Sequence, residues 1–324
     1  MDPLPSPVPP PAASPVEWPG LDGADERRFS LFVIGDVGIE VRATLPDVRF
    51  VDVVADRLAY APARAMVAGT AVNLARCATR YFRSVGVLGK IGDDDHTRTI
   101  RRELRRLGAD DHLCVEPGTP NGVSVMLRDR PNGDGPAGGR GVRLLVVHDD
   151  PPCRRLTVPE VRAAAAAIEG CDVLVTDGYS LLSPVSRAAL HTAAGIARDA
   201  GTRVAFDVVP HDVDARLAAD DVLPMLDLAD LVISEAPTVA RLLGRPVPCG
   251  GQEVRDLLPC LDRAVPGRPT WLLRFGPTSL ERVLVHRRGR PPVEYPTGYR
   301  DGVERVGFGD RLAAAELYRW LSGN

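Results

Sequence analysis

From Phe29 onward, short apolar runs alternate with longer alanine- and leucine-rich ones, and this alternation restricts the fold more than any other feature of the chain. Leu31–Ile34, Ser84–Leu88, Asp172–Thr176, Arg203–Asp207, Leu228–Ile233 and Thr270–Arg274 are compact and mainly apolar, the form of strands buried on both faces. Between them the pattern predicts helices over Thr70–Tyr81, Thr97–Leu107, Pro159–Ala167, Pro184–Asp199 and Val254–Ala264. Strands alternating with helices of this length build an α/β fold, a mostly parallel sheet covered by helices on both sides. Two segments interrupt the rhythm. Val41–Tyr60 and Asn121–His148 are β-rich without a helix, and the second carries the glycine-rich loop 131–141. Taken alone, they read as surface hairpins.

A chain of 324 residues can bury one large α/β core or two modest ones. The net charge of −3 gives no reason to expect nucleic acid or an acidic membrane surface as a partner. Basic residues are almost all arginine, and Lys90 is the single lysine. Six scattered cysteines without a Cys-x-x-Cys pair argue against disulfide or metal use and fit a reducing, cytoplasmic setting. No apolar run reaches membrane-spanning length. Residues 1–20 hold eight prolines, so 1–26 is predicted to be a disordered tail ahead of one domain at 27–324.

Near the C-terminus, Gly307-Phe308-Gly309-Asp310 leads directly into a helix-like run from Arg311 to Leu321. Two glycines let a tight turn present backbone N–H groups, and the helix behind adds its positive end, which together make an anion site. Asp310 at the helix start can cap free N–H groups or accept a proton from a bound hydroxyl. A capped helix after a glycine turn explains the same residues without any ligand.

Four motifs in order carry a resemblance to a known family. They are Gly35-Asp36-Val37-Gly38-Ile39-Glu40 after the first strand, Ala68-Gly69-x-x-x-Asn73-x-Ala75, Val85-Gly86-x-x-Gly89-Lys90-Ile91-Gly92-Asp93-Asp94, and Gly307-x-Gly309-Asp310. In this order the chain from Arg27 to Leu321 resembles the ribokinase (PfkB) family of sugar and nucleoside kinases. The resemblance implies a ribokinase-like three-layer α/β/α sandwich with a small β lid, formed by about 41–65 and 118–150. It implies ATP-dependent phosphorylation of a hydroxyl on a sugar or nucleoside-like molecule, with Mg²⁺. It assigns Asp310 as proton acceptor, with the backbone of Gly307, Phe308 and Gly309 holding the transferred anion and Phe308 adding bulk beside the γ-phosphate. Glu40, Gly69 and Asn73 fall at substrate positions, Gly276 and Ser279 at the nucleotide turn, and Glu235 at the segment that organises Mg²⁺. It also implies a homodimer through the lid.

Several positions depart from the family pattern. The family's Asn-x-x-Glu reads here as Ser234-Glu235-Ala236-Pro237, and its Asp-x-Asn-x-Arg as Asp207-Val208-Val209-Pro210-His211. The Asp-Thr that leads the last motif reads as Glu304-Arg305, and Ser279 replaces the second glycine of the nucleotide turn. Asn324 follows Asp310 by fourteen residues, where the family continues through helices that wall the adenine pocket. These changes set an alternative beside the kinase: a ribokinase-like pseudokinase that binds a sugar or nucleoside without productive ATP and Mg²⁺ handling. Gly35-Asp36-Val37-Gly38 lacks the dinucleotide fingerprint, and Gly86–Ile91 lacks the gap of a P-loop.

Overall fold

β1 (Ser30–Ile34) runs through the middle of the molecule, buried along its whole length. A computed structural model describes residues 21, 23–56, 58–129, 142–209, 213–299 and 307–323. The proline-rich segment 1–20, the loop 131–141, Pro210-His211 and Glu304-Arg305 lie outside the described residues. After β1 the chain forms β2 (Gly38–Thr44), a 3-10 turn at Phe50–Asp52 and β3 (Ala63–Ala68). Next come α1 (Thr70–Ala78), β4 (Ser84–Leu88), β5 (Lys90–Ile91), α2 (Asp95–Leu107), β6 (Asp110–Asp111) and β7 (Cys114–Val115). β8 (Val123–Arg128) and β9 (Arg143–Val147) precede α3 (Val158–Ala163), α4 (Ala165–Glu169), β10 (Val173–Asp177), α5 (Pro184–Ala200) and β11 (Arg203–Asp207). The chain continues through α6 (Val213–Arg216), α7 (Ala219–Leu228), β12 (Leu231–Glu235), α8 (Ala236–Leu242), α9 (Gly251–Ala264) and β13 (Thr270–Phe275). The hairpin of β14 (Arg282–His286) and β15 (Val293–Pro296) and then α10 (Phe308–Leu321) complete it.

The main sheet has the order β15-β14-β13-β12-β11-β10-β1-β4-β6. Its pairs from β6 through β13 are parallel, and β13–β14 and β14–β15 are antiparallel. Successive side chains on a strand point to opposite faces, which divides the core in two. Leu31, Val33, Val173, Val175 and Ile233 pack with residues of α1, α2 and α10. Phe32, Ile34, Leu174, Phe206 and Val232 pack with α5, α7, α8 and α9. The predicted sandwich is therefore present: helices, sheet, helices.

A second sheet, ordered β3-β2-β8-β9, supplies the predicted lid. β2 and β8 are parallel at its centre, with β3 and β9 antiparallel outside them. β2 leaves the end of β1 after three residues, so the small sheet is tied to the C-terminal edge of the large one. The expected β-rich stretch Val41–Tyr60 is only partly strand. Pro46 cannot donate to a ladder, and the chain instead turns at Phe50, whose N–H donates to Asp129 Oδ2 at 3.0 Å.

Other expectations also shift. The single helix over Pro159–Ala167 is two short ones, because Ala164 leaves helical geometry and its N–H donates to Val161 at 3.0 Å, a tightened turn. The last residues of the predicted tail pack on the body: Leu21 and Ala24 lie against the core, and Ala24 N–H donates to the Arg80 carbonyl. Lys90 sits in a half-buried polar knot, 3.1 Å from Glu160 and 3.9 Å from Glu116, and donates to the Arg155 carbonyl at 3.1 Å. It links β5 to the turn before α3. No described helix is long and apolar enough to cross a membrane.

Candidate active site

Parallel strands all finish on one side of a sheet, and clefts form where they end. Here that edge gathers acids. Asp36 follows β1, while Asp177, Asp207 and Glu235 close β10, β11 and β12. Asp310, in the first turn of α10, lies within electrostatic reach of Asp207.

Gly307 caps α10 with φ +77°, in the left-handed region, which costs a residue with a side chain roughly 1–2 kcal/mol. Its carbonyl accepts from Arg311 N–H at 3.1 Å. The first N–H groups of a helix have no partner inside it, and the peptide dipoles make that end positive. Asp310 is half-buried among these groups. Burial, then the Asp207 charge, push its carboxyl up to about 6, against the pull of Arg274 and Arg76. Burial likewise raises Asp207, opposed by Arg274 and by the Val209 N–H.

Phe308 corrects one expectation. Its ring is 2% exposed and stacks edge-on against Tyr299 with centroids 4.9 Å apart. An apolar ring gains more from the core than from a wet cleft, so its bulk lies inward and only its backbone remains at the turn.

Beneath that turn lies a cation that the sequence motifs did not reveal. Arg274 on β13 is 6% exposed, and its Nη2 donates to Glu316 Oε2 on α10 at 2.7 Å. Tyr295 on β15 donates to the other Glu316 oxygen at 3.1 Å. Burial alone would lower the Arg274 guanidinium, but the Glu316 and Asp207 carboxylates outweigh it and hold it above its usual value. A methyl group on Gly309 would sit 3.5 Å from Arg274 Nη1. A signal existed in the sequence. Arg274 interrupts an apolar strand, and Glu316 lies one turn after Leu312 on the apolar side of its helix.

Among the positions expected to contact substrate, Gly69 has φ +108°, and a Cβ there would meet the Asp36 carbonyl oxygen at 2.2 Å. The β3–α1 junction and the turn after β1 thus touch backbone to backbone. Asn73, on α1, accepts from Arg76 Nη1 at 2.9 Å through its amide oxygen. Arg76 in turn lies within reach of Asp310, which brings Asn73 to the same side of the site. Glu40 stands apart on lid strand β2, paired with Arg42.

Two acids, Asp177 buried and Asp36 half-buried, lie at the strand ends beside the start of β2. Thr70 Oγ1 donates to Asp177 Oδ2 and accepts from Asp36 N–H at 3.1 Å. Burial and the neighbouring Asp36 push Asp177 up to about 7, against the Thr70 and Ser180 hydrogen bonds. Burial also raises Asp36, which the Cys153 thiol and Arg154 oppose.

At the turn expected to meet the nucleotide, Gly276 has φ +119° and Ser279 has φ +61°. Ser279 N–H donates to the Gly276 carbonyl at 3.0 Å, and Glu281 closes the turn by accepting from Thr278 and Leu280 N–H groups at 3.1 Å. The serine therefore keeps a backbone conformation that favours glycine. Glu235 ends β12 beside Arg274 in register, at the N-cap of α8. Among the described residues no three His, Cys, Asp or Glu side chains converge to hold a metal. The Glu235 carboxylate offers oxygen atoms, the ligand type that a magnesium ion takes.

The family model of pfkB carbohydrate kinases matches residues 30–265. A 2-dehydro-3-deoxygluconokinase from Thermoproteus tenax is 29% identical over 224 residues, covering 68% of this chain and 63% of that protein. The chain therefore spans less than two thirds of that relative's length. Among solved structures, an adenosine kinase from Sinorhizobium meliloti superposes with a TM-score of 0.72 at 19% identity, over 91% of this chain and 88% of its own. The Arabidopsis thaliana ribokinase complexed with ribose and ATP gives 0.71 at 15% identity, over 91% and 87%. At such identities these structures speak to the fold.

Proposed function

The chain belongs to the pfkB family of carbohydrate kinases, and from that premise we propose that it transfers the γ-phosphoryl group of ATP to a hydroxyl of a sugar or nucleoside-like molecule. The observation that carries this reading is the placement of Asp310: the first turn of α10, behind a left-handed Gly307, over the strand ends. The acceptor hydroxyl gives its proton to the Asp310 carboxylate as its oxygen bonds to phosphorus, the bond to the β-phosphate oxygen breaks, and ADP leaves. A carboxyl near 6 is mostly ionised at neutral pH, yet more basic than an ordinary aspartate. The backbone of Gly307, Phe308 and Gly309 faces the anion with groups already oriented. Asn73 and Gly69 hold the acceptor from the α1 side, and Gly276 and Ser279 border the nucleotide. Magnesium would be carried by the phosphates, with Glu235 holding its water, and would neutralise charge on the nucleotide. The lid would meet a second copy of the chain, supported by the exposed apolar residues on β9.

The test is ADP release with ATP, Mg²⁺ and a panel of ribose, fructose, 2-dehydro-3-deoxygluconate and adenosine. Turnover on one of these should fall by about 100-fold or more in Asp310→Asn, with the unfolding curve unchanged. Normal turnover by that variant removes Asp310 from the role. The pseudokinase reading is favoured by Ser234 to Pro237, which lack the family's Asn-x-x-Glu. Calorimetry with a non-hydrolysable ATP analogue, with Mg²⁺ present and then chelated, decides between the two readings. Binding that requires the metal supports the kinase, and no binding supports the pseudokinase.

A further inference from the structure

A guanidinium buried beneath a phosphoryl-transfer turn needs a reason, because removing its charge from water is costly and an apolar side chain would fill the same space. Arg274 is held from below, with Nη2 on Glu316 and Glu316 in turn held by Tyr295. The rest of the guanidinium lies toward the turn, where Nη1 is 3.5 Å from the place a Gly309 side chain would begin. Its Nε is buried and has no hydrogen-bond partner among the described residues. The Glu316 pair accounts for one side of the group only. Its charge also acts on two further carboxylates, Asp207 and Asp310.

We propose that Arg274 is a positioning residue of the transfer site: fixed by Glu316 and Tyr295, it sets a permanent positive charge directly beneath Gly309 at the turn that carries Asp310. This deepens the kinase reading and rests on its assignment of Asp310 as proton acceptor. The groups that face Asp310 are Asp207 from β11, Arg274 from β13, and Arg76 and Cys77 from α1, with Arg311 next to it on its own helix. Of the two guanidiniums that oppose the Asp207 charge, Arg274 has the larger effect on Asp310. It also acts on Asp207, so a single cation serves the whole acid pair. Arg76 is already engaged by Asn73, Glu103 and the Val67 carbonyl.

The experiment follows the Asp310 carboxyl directly, by carbon-13 NMR of aspartate-labelled full-length protein across pH without any ligand. The Asp310→Asn spectrum identifies the signal. In Arg274→Met the midpoint should rise by about one pH unit or more, and in Arg274→Lys, which keeps the charge, it should stay near that of the unaltered protein. Arg274→Met leaves Glu316 buried without its partner, so Arg274→Met combined with Glu316→Gln is the second variant. It removes both charges, keeps a partner for Tyr295, and should show the same rise. On any sugar of the panel that is phosphorylated, the acid limb of kcat should move up by the same interval while KM for the sugar holds. An unchanged Asp310 midpoint in both neutral variants overturns the proposal, as does a pH-independent loss that lysine fails to rescue. A shifted midpoint in a protein that phosphorylates nothing on the panel upholds the Arg274 inference and counts against the kinase reading alone. Turnover with an unshifted midpoint does the reverse.

Discussion

Asp177 has both carboxylate oxygens engaged, one by the Thr70 hydroxyl and the other by the Ser180 N–H and hydroxyl. Even so, burial and Asp36 raise it from 3.8 to about 7, so the folded protein holds a proton that the unfolded chain releases. Wherever the folded state binds more protons, stability falls as pH rises. The urea midpoint should therefore decline between about pH 4 and pH 7, and Asp177→Asn should flatten that decline. An unchanged slope in the variant would place the charge elsewhere, and because Asp36 titrates with it the pair should be fitted together. Sequence made Asp310 visible because glycines mark a turn and a carboxylate beside them marks its chemistry. Asp177, Arg274 and Glu316 carried no such marker. Their meaning comes from neighbours distant in sequence: Thr70 for the first, α10 for the second, β13 for the third.

At the scale of elements, the junctions govern where the site groups lie. Gly69 and Gly307 both adopt positive φ, but their surroundings differ. A Cβ on Gly69 would collide with the Asp36 backbone, whereas one on Gly307 meets nothing within 4 Å among the described residues. Gly307→Ala should cost only the left-handed strain, about 1 kcal/mol. Gly69→Ala should cost at least ~2 kcal/mol, because backbone atoms must move. Chemical denaturation of the two variants measures both, and equal losses would mean that the β3–α1 junction yields easily. The parallel strands and long helices were legible because apolar runs of fixed length leave few alternatives. α7 and α8 were not, since Pro224 interrupts one and the other has seven residues. β14 and β15 escaped because their pattern is set by each other and by β13, not by a run of apolar residues.

At the scale of the whole molecule, a nine-stranded sheet with helices on both faces leaves the lid as the main place where apolar side chains meet solvent. Leu144, Val146 and Val147 on edge strand β9 are 47%, 53% and 45% exposed, and an open edge of this kind invites another strand. Sedimentation should give twice the chain's 34.8 kDa, and Val146→Glu should return it to that mass. A monomer at all concentrations would remove the lid as a contact. The layering could be read from periodicity, but the meeting of the two sheets at one edge could not. It depends on β2 leaving β1 after three residues, a distance without an apolar signature. One further trait reaches across the molecule. No other residue is lysine, so apart from the amino terminus, amine-directed reagents find a single target in Lys90, between Glu116 and Glu160. The protein thus carries its own single-site label: the rate at which that amine is acylated reports how often the segment before α3 separates from β5.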